Sequence, residues 1–137
     1  MPDFEAAANT IRSQFNSQFG ALSPTYDIAW ENVTFTPPDR EPWVRFTIRE
    51  GEASLPAFGG GSNVYRHPGV VIVQVFAPDG TGDGTARQIA DSIAAIYRGK
   101  RLSGVRFFDA PYINVVGTDG AWFQINVYAP FEYDLLT

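Results

Sequence analysis

The chain has 137 residues, 45% of them hydrophobic and 18% charged, a balance that excludes disorder over most of its length and predicts one globular domain spanning 1–137. It has no cysteine and one histidine, His67, which excludes disulfides and cysteine nucleophiles and leaves a zinc site without its usual ligands. A formal net charge of -5 argues against a surface built to neutralise phosphates, since nucleic-acid binders cluster Lys and Arg to release counterions.

The N-terminus, MPDFEAAANTIRSQF, has neither a basic region nor an uninterrupted apolar stretch, so no secretory signal is expected. No apolar run approaches the roughly 20 residues needed to span a bilayer. Phe4, Ala7, Ala8, Ile11, Phe15 and Phe19 recur at three- and four-residue spacing and predict an amphipathic helix, with Asp3 as its cap and Gly20 as its stop. IAWENVTF at 28–35 reads as a short strand, broken by the prolines of TPPDREP. In WVRFTIRE, Val44, Phe46 and Ile48 alternate with Trp43, Arg45, Thr47 and Arg49, the period of a half-buried strand with one wet or contacted face.

The segment 51–69 is too long for an ordinary hairpin connection. Folded as a hairpin arm, its two sides of about six residues would each reach roughly 20 Å from the sheet. Its glycine tip is free in isolation, and Tyr65 and Arg66 supply interface chemistry. VVIVQVFAP at 70–78 is apolar on both faces and reads as a central strand. DGTGDGTAR then offers turn chemistry, with Asp83 or Thr85 as a helix cap, and Ala86, Ile89, Ala90, Ile93, Ala94, Ile96 and Tyr97 form the stripe of a second helix stopped by Gly99. Strands follow near 104–108, 111–117 and 121–133.

Catalytic readings lack companions. Gly80, Gly82 and Gly84 have neither dinucleotide-binding nor P-loop spacing. His67 precedes a proline in a polar loop, and no G-x-S-x-G elbow occurs; packing or a hydrogen bond at the arm's base is its expected role. Trp43, Trp122, Tyr128 and Tyr133 lie on strands whose alternate residues are also large, so some face away from the core, either under cover or at a subunit interface.

The helix, the strand pair WENVTFTPP and WVRFTIRE, the loop ending YRHPG, the strand VVIVQVFAPDGTGDG, the helix ARQIADSIAAIYRG and the final strand GAWFQINVYAPFEY together resemble the tail terminator proteins of long-tailed bacteriophages. The resemblance covers nearly the whole chain and rests on order, spacing and character of the elements. It implies an α/β fold with a mixed β-sheet and helices packed on it; the pass along the chain gives about five to six strands, two main helices and a long hairpin arm between the second and third strands.

It further implies a structural virion protein of the tail and neck, without enzymatic activity or cofactor, assembled in the bacterial cytoplasm. Such a protein is a homo-hexamer that caps the tail tube, stops its polymerisation and presents the surface joining a head-tail connector or head completion protein, with DNA passing through the lumen unbound. Another head-tail joining or tail-tube protein, or a small enzyme or ligand-binding domain with a pocket under the glycine-rich loop, are the alternatives. From chemistry and position, the contact residues expected are Phe58, Gly59, Gly60, Gly61, Tyr65 and Arg66 on the arm, then Trp43, Arg45, Arg49, Tyr133, Leu135 and Leu136.

Overall fold

In the computed structural model, which describes residues 3–57 and 63–136, the N-terminal periodicity becomes α1 (Phe4–Gly20). Asp3 caps it, its Oδ1 accepting from the Ala6 N–H at 2.8 Å and so satisfying one of the free first-turn donors. Ala7, Ile11, Phe15 and Phe19 form the buried stripe. The second helix, α2 (Gly84–Tyr97), buries all seven residues of its expected stripe. Asp83 does occupy its N-cap, but without a capping bond: the carboxylate turns instead to Arg87 at 2.6 Å. The buried Tyr97 hydroxyl donates to the Ile11 carbonyl at 2.7 Å, joining the helices. Burial pushes the Tyr97 phenol far above its ordinary range, so the group acts only as a neutral donor.

The strands are β1 (Asp27–Ala29), β2 (Trp43–Glu50), β3 (Ser54–Ala57), β4 (Val64–Pro78), β5 (Arg101–Leu102), β6 (Val105–Arg106), β7 (Tyr112–Asp119) and β8 (Trp122–Leu136). They form one mixed sheet in the order β1-β2-β4-β8-β6-β5, with β3 also beside β4 and β7 also beside β8. Only β1 runs parallel to its neighbour. The sheet has eight strands among the described residues, against five to six expected. The increase comes partly from β3 and partly from residues 101–106, which fold as a small hairpin. Ser103 and Gly104 at its turn both have positive φ, as a two-residue hairpin turn requires.

Two expected boundaries move. The strand expected at 28–35 stops at Ala29, because the chain turns away and Asn32 enters the left-handed region at φ 56°. The strand expected at 70–78 begins at Val64, so the returning limb of the arm and the central strand are one element. Pro68 lies within this strand, opposite the gap between β2 and β3, where its carbonyl accepts from the Gly51 N–H at 2.9 Å. In a strand the nitrogen points to the same side, so the missing donor falls where no ladder bond is required.

β4 and β8 pair antiparallel through all fifteen residues without a bulge, from Val64↔Leu136 to Pro78↔Trp122. At about 3.3 Å per residue this ribbon is roughly 50 Å long, whereas helices of 17 and 14 residues span about 26 and 21 Å. The helices pack on one face, where the buried cluster runs along the ribbon from Ala77 through Val75, Val73 and Val71 on β4 and from Ile125 through Val127, Ala129 and Phe131 to Tyr133 on β8. The other face lies away from the helices, with Phe35 against Trp43 near one end of it.

Candidate functional site

Side chains of paired residues in adjacent strands share a face, so the registers give the uncovered face as rows running across the sheet. The first is Trp43–Phe76–Gln124, the second Arg45–Gln74–Asn126–Asn114, the third Thr47–Ile72–Tyr128–Tyr112 and the fourth Arg49–Val70–Pro130. No acidic residue occurs in these four rows. Gln124 donates to Asn126 at 2.8 Å and Asn126 to the Tyr128 hydroxyl at 3.3 Å, while Tyr128 stacks on Tyr112 with centroids 5.0 Å apart. A surface of tyrosines, arginines and hydrogen-bonded amides has the composition of a protein interface.

The arm rises from one end of this ribbon. Among the described residues Ser54 pairs with Arg66 and Ala57 with Val64, with a register shift between them, and the returning limb is braced by β8. Arg66 Nε lies 2.9 Å from Asp134 Oδ1, and Arg106 reaches Asp134 at 3.2 Å and Glu132 at 3.3 Å. The hydrogen bond from Arg66, with Arg106 adding to it, holds the Asp134 carboxyl below the usual range against the opposing effect of its partial burial. His67 is pressed between Phe4 and Tyr133, at ring centroid distances of 5.2 Å to each, which is the packing role expected at the arm's base. The Tyr133 hydroxyl is buried without a hydrogen-bond partner. Burial, then the neighbouring Glu50 and Asp3 charges, push its pKa up to about 12.

On the outer side of β8, β7 pairs with the stretch from Trp122 to Tyr128 and has no other strand neighbour among the described residues. All but one of its eight residues are exposed, including Tyr112 at 56%, Ile113 at 42%, Val115 at 42% and Val116 at 50%. Nine successive residues, 110–118, carry no charge. Sequence reasoning placed a strand here but passed over it as a contact surface, because an apolar strand reads as a buried one. Nearby, the exposed Phe108 ring lies under the Arg101 and Arg106 guanidinium groups at 4.9 and 5.9 Å.

The expected contact residues divide by position. Arg45 and Arg49 are exposed on β2, with the Arg45 guanidinium 5.5 Å from the Trp43 ring centre. Trp43 itself is buried, stacked on Phe76 and edge-on to Trp122. Tyr133 is buried against His67. Tyr65 and Leu135 are partly exposed and paired across the arm's base, with Arg66 beside them in its ion pairs. Phe58, Gly59, Gly60 and Gly61 lie outside the described residues, and Leu136 is described only through its backbone pairing with Val64. Among the described residues no group of three or more His, Cys, Asp or Glu is placed to hold a metal ion, and no helix is long and apolar enough to cross a membrane.

A two-layer α/β domain with half its sheet uncovered and its central ribbon extended past the helices is a fold with contact surfaces in several directions. The same architecture occurs in a solved structure with a TM-score of 0.70 and 23% identity, covering 93% of this chain and 96% of the other. No curated protein sequence matches significantly. Residues 10–131 match the phage tail terminator protein family, and the chain belongs to it. It is a structural protein of the phage tail, as the element order had suggested.

Proposed function

We propose that the protein forms a hexameric ring that caps the tail tube, halts addition of tube subunits and offers the surface to which the head or neck attaches. Family membership over residues 10–131 carries this reading. The extended ribbon, the uncovered sheet face and the exposed β7 supply surfaces that a ring subunit needs for its neighbours and its tube. On this reading termination has a simple physical cause: one ring face copies the docking surface of a tube subunit, the other lacks it, and growth stops for want of a complementary surface.

Six copies at -5 each give a ring of charge near -30, and a lumen sharing that sign repels the phosphate backbone so that DNA slides through. The arm, with Tyr65 and Arg66 at its base, reaches along the tube or onto the adjacent subunit. The test is addition of the purified protein to polymerising tail tubes. Tube length measured by electron microscopy stops increasing if the protein caps the tube; continued growth, or incorporation along the tube, contradicts capping and fits a tube protein.

A further inference from the structure

We infer that neighbouring copies meet side by side, β7 of one copy seating against the β2 edge of the next, with Asp109 opposite Arg49. This rests on the ring reading and specifies its subunit contact. Three observations support it. The first is position. Both edges belong to one sheet and lie at the same height: β1 covers β2 only from Trp43 to Arg45, the row that starts at Thr47 ends at Tyr112, and the neighbouring row through Arg45 ends at Asn114. The Arg49 row runs through Pro130, and Asp109 lines the same hollow as Pro130. Copies set side by side therefore bring these edges together without a shift along the strands, as a closed ring requires of a head-to-tail contact.

The second observation is shape and area. Beside β2, residues 30–34 and 45–47 enclose a groove of ≈ 330 Å³ that includes Trp30, Val33, Arg45 and Thr47, and Val33 is 60% exposed. The Ile48 N–H already donates to Glu31 at 3.2 Å, and Glu31 pairs with Arg12 at 3.5 Å. This edge is closed to strand addition and receives side chains instead. Tyr112, Ile113, Val115 and Val116 expose on the order of 300 Å² of apolar surface, a large part of the apolar area that one side of a standard interface buries.

The third is charge. Copies of a chain at -5 repel one another, so self-association favours a neutral strip or paired opposite charges. Residues 110–118 provide the strip. Asp109 and Arg49 are both exposed, and neither has an ion-pair partner among the described residues.

Arg49→Asp and Asp109→Arg are made singly and together, with melting curves to verify folding and native mass spectrometry to read assembly, in the presence of tail tubes where the free chain is monomeric. Each single variant is expected to weaken self-association roughly tenfold or more, and the double variant, in which the charges are exchanged, to restore it. Rings unaffected by either single change, or a double variant no better than the singles, overturn the assignment. So do single variants that form rings and fail only at capping, which would give the surface to the tube. In the cysteine-free chain, Val33→Cys with Val115→Cys gives a second readout: an oxidation-dependent ladder of linked copies is expected, whereas rings without the ladder refute this contact and leave the ring standing. No assembly by the unmodified chain, with or without tubes, refutes the ring as well.

Discussion

Gly69→Ala isolates the junction where the arm leaves the sheet. A Cβ at Gly69 would lie 2.4 Å from Phe131 Cζ and 2.9 Å from the Arg49 carbonyl oxygen. The ring would have to retreat by about 1 Å to reach ordinary contact, yet Phe131 is buried, with Phe107 and Tyr133 at centroid distances of 5.8 and 6.3 Å, and the carbonyl belongs to the paired β2 backbone. Overpacking of this kind costs about 1–3 kcal/mol, offset by up to ~1 kcal/mol from the backbone freedom that glycine loses. The net expectation is ~2 kcal/mol, a fall in Tm of roughly 6–10 °C for a domain of this size. Gly51→Ala, whose Cβ would sit 3.4 Å from Pro68 Cγ, is the near-neutral control. Thermal and urea melts measure both, and Phe131→Leu in the Gly69→Ala background should give a loss smaller than the sum of the two single losses. A Gly69→Ala variant melting within about 1 °C of the parent refutes the packing argument.

The two buried tyrosine hydroxyls should respond differently to deletion. Tyr97→Phe removes the 2.7 Å bond to the Ile11 carbonyl and should cost about 1 kcal/mol, while Tyr133→Phe removes an unpaired hydroxyl and should be neutral or slightly stabilising; denaturant melts that reverse this order contradict the hydrogen-bond assignment. Asp134 is held below its ordinary pKa by Arg66 and Arg106, so its contribution is complete above the unfolded-state value near ~4 and is lost as pH falls through the lower folded value. Stability should therefore decline less steeply below about pH 4 in Asp134→Asn than in the parent, and identical slopes would exclude the network as a source of acid sensitivity. Asp3→Ala should cost about 1 kcal/mol through loss of the helix cap, read as a lowered urea midpoint.

Local periodicity made much of the architecture legible. The α1 stripe from Ala7 to Phe19, the α2 stripe from Ala86 to Tyr97 and the alternation in β2 each follow from one face packing on a common core. What sequence reasoning missed depended on contacts distant in the chain. Pro68 and Gly69 continue a strand because a gap in the neighbouring lane tolerates the proline and the Phe131 ring lies over the glycine, and neither partner is a sequence neighbour. The exposure of β7 depends on its outer place in the sheet, with β8 as its one strand neighbour among the described residues. Arg45 and Arg49 were legible as a wet face of β2, whereas Trp43 in the same alternation is covered by Phe35 and Phe76 from other elements.

Electron microscopy of phage particles carrying this protein, with a labelled copy to locate it, tests the central claim most directly. The account predicts six-fold density for the chain in a single ring at the head-proximal end of the tail tube. Density repeating along the tube, or a copy number other than six at its end, would contradict it.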